Sequence, residues 1–228
     1  TGNHTLFQQT LERLKFDGMQ DPIVVCNKEH RFIVNEQLGA LGLDTQTVIM
    51  EPFGRNTAPA VAITAMLLLS EGNDELMLVL PADHVIDDQK ALQRALALAT
   101  VAAERGEMVL FGIPATKPET GYGYIKSTAD ALLPEGVSRV SQFVEKPDEK
   151  RAAEFVEAGG YFWNSGMFLF RASRYLEELK KHDPDIYDTC MMTLERSKHE
   201  GDTIDIDEAT FACCPDNSID YSVMEKTQ

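Results

Sequence analysis

Residues 47–84 read TVIMEPFGRNTAPAVAITAMLLLSEGNDELMLVLPADH. A strand-length apolar run (47–50), a loop of Gly, Pro, Arg and Asn, an apolar stretch of helix length (57–69) and a second strand-length run (75–80) follow one another. Strands that are apolar throughout and separated by a helix belong to a parallel sheet covered on both faces. The same rhythm extends on either side: residues 21–26 (DPIVVC) read as a strand, 28–41 as a helix, 89–104 as a strongly periodic helix and 107–112 as a strand. The pattern is α/β and doubly wound, a mixed and mainly parallel sheet flanked by helices. After Pro114 the rhythm changes. Residues 121–126, 137–144 and 161–170 read as strands separated by loops and one short helix, 149–158, so mixed or antiparallel strands are expected to extend the sheet. From Ala172 onward the chain reads as helical and acidic, punctuated by Pro184 and Pro215. No internal repeat or Gly/Ser linker interrupts residues 1–228, which read as a single domain.

The 228 residues are 43% hydrophobic and 25% charged, the composition of a soluble globular protein. The net charge of −16 argues against nucleic acid or an anionic membrane as a partner, since both demand a basic face, whereas it suits a metal-dependent site. The excess is concentrated after Glu177, where 14 acidic residues face 5 basic ones, as in a solvated surface layer. No membrane span or leader is read from the sequence. Cys26, Cys190, Cys213 and Cys214 have no framework spacing, which fits a reducing cytoplasm. The stretch 58–69 is apolar almost all round, so it is expected either inside the fold or against a partner copy, as in a homo-oligomer.

In an open sheet of this kind, ligands bind beyond the carboxyl ends of the strands. The loop after 47–50 begins Glu51-Pro52-Phe53-Gly54-Arg55-Asn56-Thr57. Asn56 or Thr57 can cap the next helix, with Pro59 in its first turn, aiming free N–H groups at the cleft with Arg55 beside them. A capped helix with a solvated arginine is the plainer reading of the same residues. The loop after 75–80 begins Pro81-Ala82-Asp83-His84, and a carboxylate directly after a buried strand is where Mg²⁺ is held together with substrate phosphates. Asp83 is thus the leading metal ligand. Gly121 and Gly123 flank Tyr122 at alternate positions of a strand, which suggests close approach of a ligand or of another backbone. Glu145 and Lys146 end an apolar run side by side, and Asn164 follows the only tryptophan, Trp163. Taken singly, these three segments read equally well as a bulge, a surface ion pair and a core strand.

Absences narrow the chemistry. The sequence holds no G-x-x-x-x-G-K-[ST], no G-x-G-x-x-G after a strand, no G-x-S-x-G and no Cys or His spacing for zinc. A reaction that needs no side-chain nucleophile is favoured.

The segments TLFQQTLERL (5–14), EPFGRNTAPA, LVLPADHVI, FGIPATKPETGYGYIK, FVEKPD, YFWNSGMFLF and SIDYSVMEKT (218–227), taken in this order, resemble the sugar-1-phosphate nucleotidyltransferases, and among them the bacterial mannose-1-phosphate guanylyltransferases. The resemblance spans nearly the whole chain. It implies a Rossmann-like fold and Mg²⁺-dependent transfer from GTP to mannose 1-phosphate, giving GDP-mannose and pyrophosphate. The sugar phosphate is already an anionic nucleophile, so alignment and charge neutralisation replace a general base. Carried over by motif, Glu51, Arg55, Asn56, Thr57, Pro81, Ala82 and Asp83 are expected at the nucleotide, with Asp83 also on the metal. Tyr122, Gly123, Glu145, Lys146 and Asn164 are expected at the sugar phosphate, with Lys146 and Asp83 catalytic. Asp220 lies in a family motif without an assigned role.

The family's opening G-G-x-G-x-R-L-x-P segment, its later W-S-D-V-G-S-W type segment and the isomerase domain of its long members have no counterpart in these residues. The chain therefore reads as an interior piece of such a protein, weakly active or inactive alone. A non-catalytic sugar-nucleotide-binding module, or a transferase for another sugar or base, are the other readings left open.

Overall fold

The computed structural model describes residues 4–43, 46–131 and 133–227. In chain order the elements are α1 (Leu6–Arg13), β1 (Val24–Asn27), α2 (Arg31–Gly39), β2 (Val48–Glu51), α3 (Thr57–Ser70), β3 (Leu76–Val79), α4 (Gln89–Glu104), β4 (Val109–Pro114), β5 (Tyr124–Thr128) and β6 (Arg139–Val144). They continue with α5 (Glu149–Ala158), β7 (Tyr161–Arg171), α6 (Ala172–His182), α7 (Pro184–Arg196), β8 (Lys198–Glu200), β9 (Thr203–Asp205) and α8 (Glu208–Phe211), and a π-helical turn spans Asp220–Met224. Among the described residues, no helix is long and apolar enough to cross a membrane.

The strands form two sheets. One has the spatial order β1-β2-β9-β8; in the other, β3-β7-β5-β6, strand β4 also pairs with β7. Among the described residues, only β1–β2 and β2–β9 are parallel pairs. Strand β7 runs antiparallel to β3, β4 and β5, and β6 antiparallel to β5. The expectation of a mainly parallel sheet is thereby corrected. At 11 residues β7 is long enough to pair along both edges, holding β3 against Phe168–Arg171 and β4 along the other side. A strand buried on both faces reads as continuously apolar whichever way its neighbour runs, so the sequence pattern carries no sign of direction.

The second correction lies beyond Ala172, where the chain is not all helical. Residues 198–205 form a hairpin whose second strand, β9, joins the first sheet parallel to β2. Ile204 and Ile206 are 4% and 3% exposed and alternate with Thr203, Asp205 and Asp207, a period-2 signal hidden by the acidity of the segment.

Strand β7 organises the core by alternation. Phe168 and Phe170 point to one face and join Ile49, Ile63, Tyr175, Leu179 and Phe211; Met167 and Leu169 point to the other, against Leu92, Leu96 and Ala99 of α4. Helix α3 packs against α6 and α7, so its apolar girth is satisfied within the chain. Tyr175, fully buried, donates its hydroxyl to the Ala58 carbonyl at 2.9 Å and draws the first turn of α3 onto α6. All four cysteines are free; Cys190 and Cys214 are buried with their sulfurs 3.9 Å apart.

Because Phe170 is fully buried between β3 and α6, Phe170→Ala should cost about 3–5 kcal/mol of stability. Urea unfolding would show a lowered midpoint with an unchanged denaturant slope; a loss below about 1 kcal/mol would contradict this packing.

Candidate active site

The residues after β6 carry the densest polar cluster. Lys146 adopts a left-handed backbone conformation (φ 43°), unfavourable for a side chain with a Cβ and typical of functional positions. Its ammonium lies 3.0 Å from Glu145 Oε1, and the Glu145 side chain is only 7% exposed while that of Lys146 is 57% exposed. The hydrogen bond from Lys146 to Glu145, with the attraction of its charge, holds the ammonium pKa above its ordinary value. The cluster thus has a buried carboxylate fixed beneath an exposed cation.

Gly123 closes the floor. A Cβ there would lie 2.5 Å from Glu145 Oε2 and 3.3 Å from Asn164 Cβ, so the missing side chain is the space the carboxylate occupies. The Gly123 carbonyl accepts the Asn164 backbone N–H at 2.7 Å. The Asn164 amide is committed as well: Nδ2 donates to Asp220 Oδ1 at 2.8 Å, and Oδ1 accepts the Gly166 N–H at 3.2 Å. Tyr122, half exposed, tilts over the Trp163 ring with centroids 5.6 Å apart. Four residues flagged from sequence, Gly123, Glu145, Lys146 and Asn164, therefore meet. The ion pair and the strand position of the plainer readings are both present, and they bring these residues together.

The loop after β2 differs from the sequence expectation. Asn56 (φ 64°) does cap α3, its Oδ1 accepting the Thr57 N–H at 3.0 Å. But the Ala58 N–H donates to the Asn217 carbonyl at 3.2 Å, and Pro59 has no N–H. Two of the N–H groups expected to receive a phosphate, those of Thr57 and Ala58, are thus already used, the second because residues 217–219 run across the helix start. Thr57 is consumed likewise, its hydroxyl accepting the Ile219 N–H at 3.0 Å. Arg55 is not a solvated arginine: it stacks on Phe53 at 5.0 Å and donates to the Ala212 carbonyl at 2.7 Å, and its Nε is buried without a partner among the described residues. Glu51 points to the same face of β2 as Ile49, and its Oε1 is also buried without a partner. Burial raises the Glu51 carboxyl pKa to about 7.

Asp83 and Ala82 are exposed on the loop after β3, with Pro81 half-buried against Gly166, whose Cβ position lies 3.5 Å from Pro81 Cγ. The loop is pinned from below by Arg13, which is 8% exposed and donates to the His84 carbonyl at 2.7 Å. Among the described residues no cluster of three or more His, Cys, Asp or Glu could hold a metal ion. Cavities of about 240 Å³ beside Leu98 and Pro134 and about 200 Å³ beside Asn35 and Gln46 lie away from these residues.

Sequence reasoning missed Arg13, Asp183 and Glu225 and left Asp220 without a role. Asp183 accepts from Asn217 and Ser222, and Glu225 accepts the Glu145 N–H at 2.9 Å. Each acts on a segment distant in the chain, and only the acidic spacing of Asp220 and Glu225 within one turn gave any signal.

Glu51 permits a pH prediction. A carboxyl titrating near 7 in the folded chain and near 4.5 unfolded contributes stability that is complete below 4.5 and lost as pH rises through 7. Glu51→Gln should therefore be more stable than the parent at pH 8, by on the order of 1–3 kcal/mol, and gain little at pH 4.5. Unfolding at the two pH values measures this; a variant less stable at pH 8 would show that ionised Glu51 is stabilised internally.

Comparison with known proteins fits this geometry. The nucleotidyl transferase family model matches residues 1–209. The alginate biosynthesis protein AlgA of Pseudomonas syringae pv. tomato is 85% identical over all 228 residues, which cover 47% of that protein. A mannose-1-phosphate guanylyltransferase of Escherichia coli is 46% identical over 99% of this chain and 48% of its own length. The chain thus spans about half the length of these curated relatives. The crystal structure of mannose-6-phosphate isomerase from Helicobacter pylori superposes with a TM-score of 0.88 at 32% identity, covering 100% of this chain and 87% of that one. With the α/β layers, the Glu145–Lys146 cluster and the family match in agreement, the chain belongs to the nucleotidyl transferase family.

Proposed function

We propose that this chain supplies the nucleotidyl-transfer site of an enzyme that joins GTP and mannose 1-phosphate into GDP-mannose and pyrophosphate, and that the product feeds polysaccharide biosynthesis. The observation that carries the reading is the contact of Gly123, Glu145, Lys146 and Asn164. A fixed carboxylate accepts sugar hydroxyls, an ammonium beside it meets the phosphate of the same molecule, and the glycine leaves the room that this carboxylate takes. The names of the AlgA and guanylyltransferase relatives favour the same substrates.

In this reading a phosphate oxygen of mannose 1-phosphate attacks the α-phosphorus of GTP in line; the new P–O bond forms as the bond to pyrophosphate breaks. No proton has to be removed, which agrees with a cluster that holds no base poised against a hydroxyl. Lys146 lowers the repulsion between the two anions, and its ion pair with Glu145 keeps the ammonium from wandering. Glu51 and the Pro81–Asp83 loop border the nucleotide side. Mg²⁺ held by Asp83 and phosphate oxygens would supply further charge neutralisation, and an exposed single carboxylate suits a hard cation that keeps most of its waters. A cytoplasmic setting accords with the free cysteines.

The test is turnover by the intact protein that carries this chain. GTP, Mg²⁺ and mannose 1-phosphate should yield pyrophosphate, with UTP, dTTP and ATP far poorer donors. Lys146→Met should lower kcat/KM by about 10²–10³-fold, and Asp83→Asn should abolish the Mg²⁺ dependence. The name of the Helicobacter pylori relative favours a second reading, isomerisation of mannose 6-phosphate. Conversion of mannose 6-phosphate that is lost in Lys146→Met, without any pyrophosphate release, would replace the transferase reading.

A further inference from the structure

Asn164 is the one sugar-side residue whose side chain is bonded at both ends, and the partner of its nitrogen comes from a different part of the chain. Because Gly166 N–H can only donate, Asn164 Oδ1 must be the acceptor there, which directs Nδ2 at Asp220. Asp220 opens a π-helical turn, a rare conformation that recurs at functional sites. Its neighbours hold it from every side: the preceding Ile219 N–H donates to Thr57 Oγ1 at 3.0 Å, Ser222 Oγ donates to Asp183 Oδ2 at 3.0 Å, and Glu225 accepts the Glu145 N–H at 2.9 Å. Two carboxylates, Glu145 and Asp220, thus act on one ammonium, Lys146, while Glu225 holds the Glu145 backbone.

Resting on the transferase reading above, we propose that Asp220 is a positioning residue for the sugar phosphate: its carboxylate clamps the Asn164 amide and, with Glu145, holds the charge that Lys146 balances. The clamp fixes Asn164 against Gly123, while Lys146 stays paired with Glu145 at 3.0 Å and feels the Asp220 charge more weakly. Burial and then the Glu145 charge raise the Asp220 carboxyl pKa to about 6, while the Asn164 bond and Lys146 oppose the rise. That balance is what a clamp between a carboxylate pair and a cation produces.

Kinetics and NMR of the intact protein test this together. In Asp220→Ala, KM for mannose 1-phosphate should rise about 10- to 100-fold, the range for losing a hydrogen bond to a charged group, while KM for GTP stays within about twofold. Mannose 1-phosphate itself titrates near pH 6, so only the difference between parent and variant profiles is read. Independently of turnover, the Asn164 side-chain amide signal of the unmutated protein should shift with a midpoint near pH 6 and stop shifting in Asp220→Ala. An unchanged KM for the sugar phosphate, equal losses for both substrates, or an Asn164 signal insensitive to pH would each overturn the proposal. No pyrophosphate release by the parent would defeat the transferase reading instead, and the amide titration would still decide the clamp. The titration needs no variant, so a poorly folding Asp220→Ala leaves it decisive.

Discussion

The hydrogen bonds made by residues 217–225 are the constraint on which the site depends. This segment crosses the start of α3, taking the Ala58 N–H on the Asn217 carbonyl and giving the Ile219 N–H to Thr57. It is anchored below on Asp183, at the junction of α6 and α7, by Asn217 and Ser222. It then reaches the cleft with Asp220 on Asn164 and Glu225 on the Glu145 backbone. One short stretch therefore sets the distance between the helical layer, the loop after β2 and the sheet that carries Gly123 and Asn164. Each of these bonds is individually modest, of order 1 kcal/mol, but they share one rigid turn and cannot be lost one at a time without leaving buried polar groups unpaired.

The electrostatics follow from that arrangement. Glu51 and Asp220 both sit where burial penalises their charged forms, and Asp220 also feels Glu145. Lys146 is the exposed counter-charge on the sugar side, and its left-handed backbone turns the ammonium back over Glu145. On the other side of the cleft, Arg55 is turned inward onto Phe53 and the Ala212 carbonyl. The protein thus keeps its mobile positive charge at Lys146 and uses Arg55 to close the loop around the helix start. The excess acidity recognised from composition is spread over the same C-terminal region that delivers Asp220 and Glu225 to the cleft.

Much of the architecture was legible. The bounds of α4 and α5 match the expected 89–104 and 149–158, because amphipathic spacing and the caps Asp88 and Asp148 act locally. The glycine at 123 and the pair 145–146 were flagged from composition alone, and the structure brings them into contact. What was not legible had two causes. Direction is invisible in a strand buried on both faces, so the antiparallel pairing of β3 and β4 with β7 was not recognised. Strand β9 is three residues long and is held by ladders to β8 and β2; Ile204 and the following Ile206 carried less weight than the surrounding acids.

The sequence by itself determined the alternation of apolar strands and helices, the all-round burial of α3, the absence of a side-chain nucleophile motif and the set of loops from which a site could be built. These depend on local propensity and on hydrophobic periodicity, which act over a few residues. The tertiary structure alone decided that the Ala58 N–H at the start of α3 is already taken by Asn217, that Arg55 points inward, that β7 joins β3 to β4, and that Asp220 holds Asn164 from 56 residues away. Those outcomes rest on which distant groups share a desolvated space, and a polar group takes whichever partner the folded chain places within about 3 Å of it.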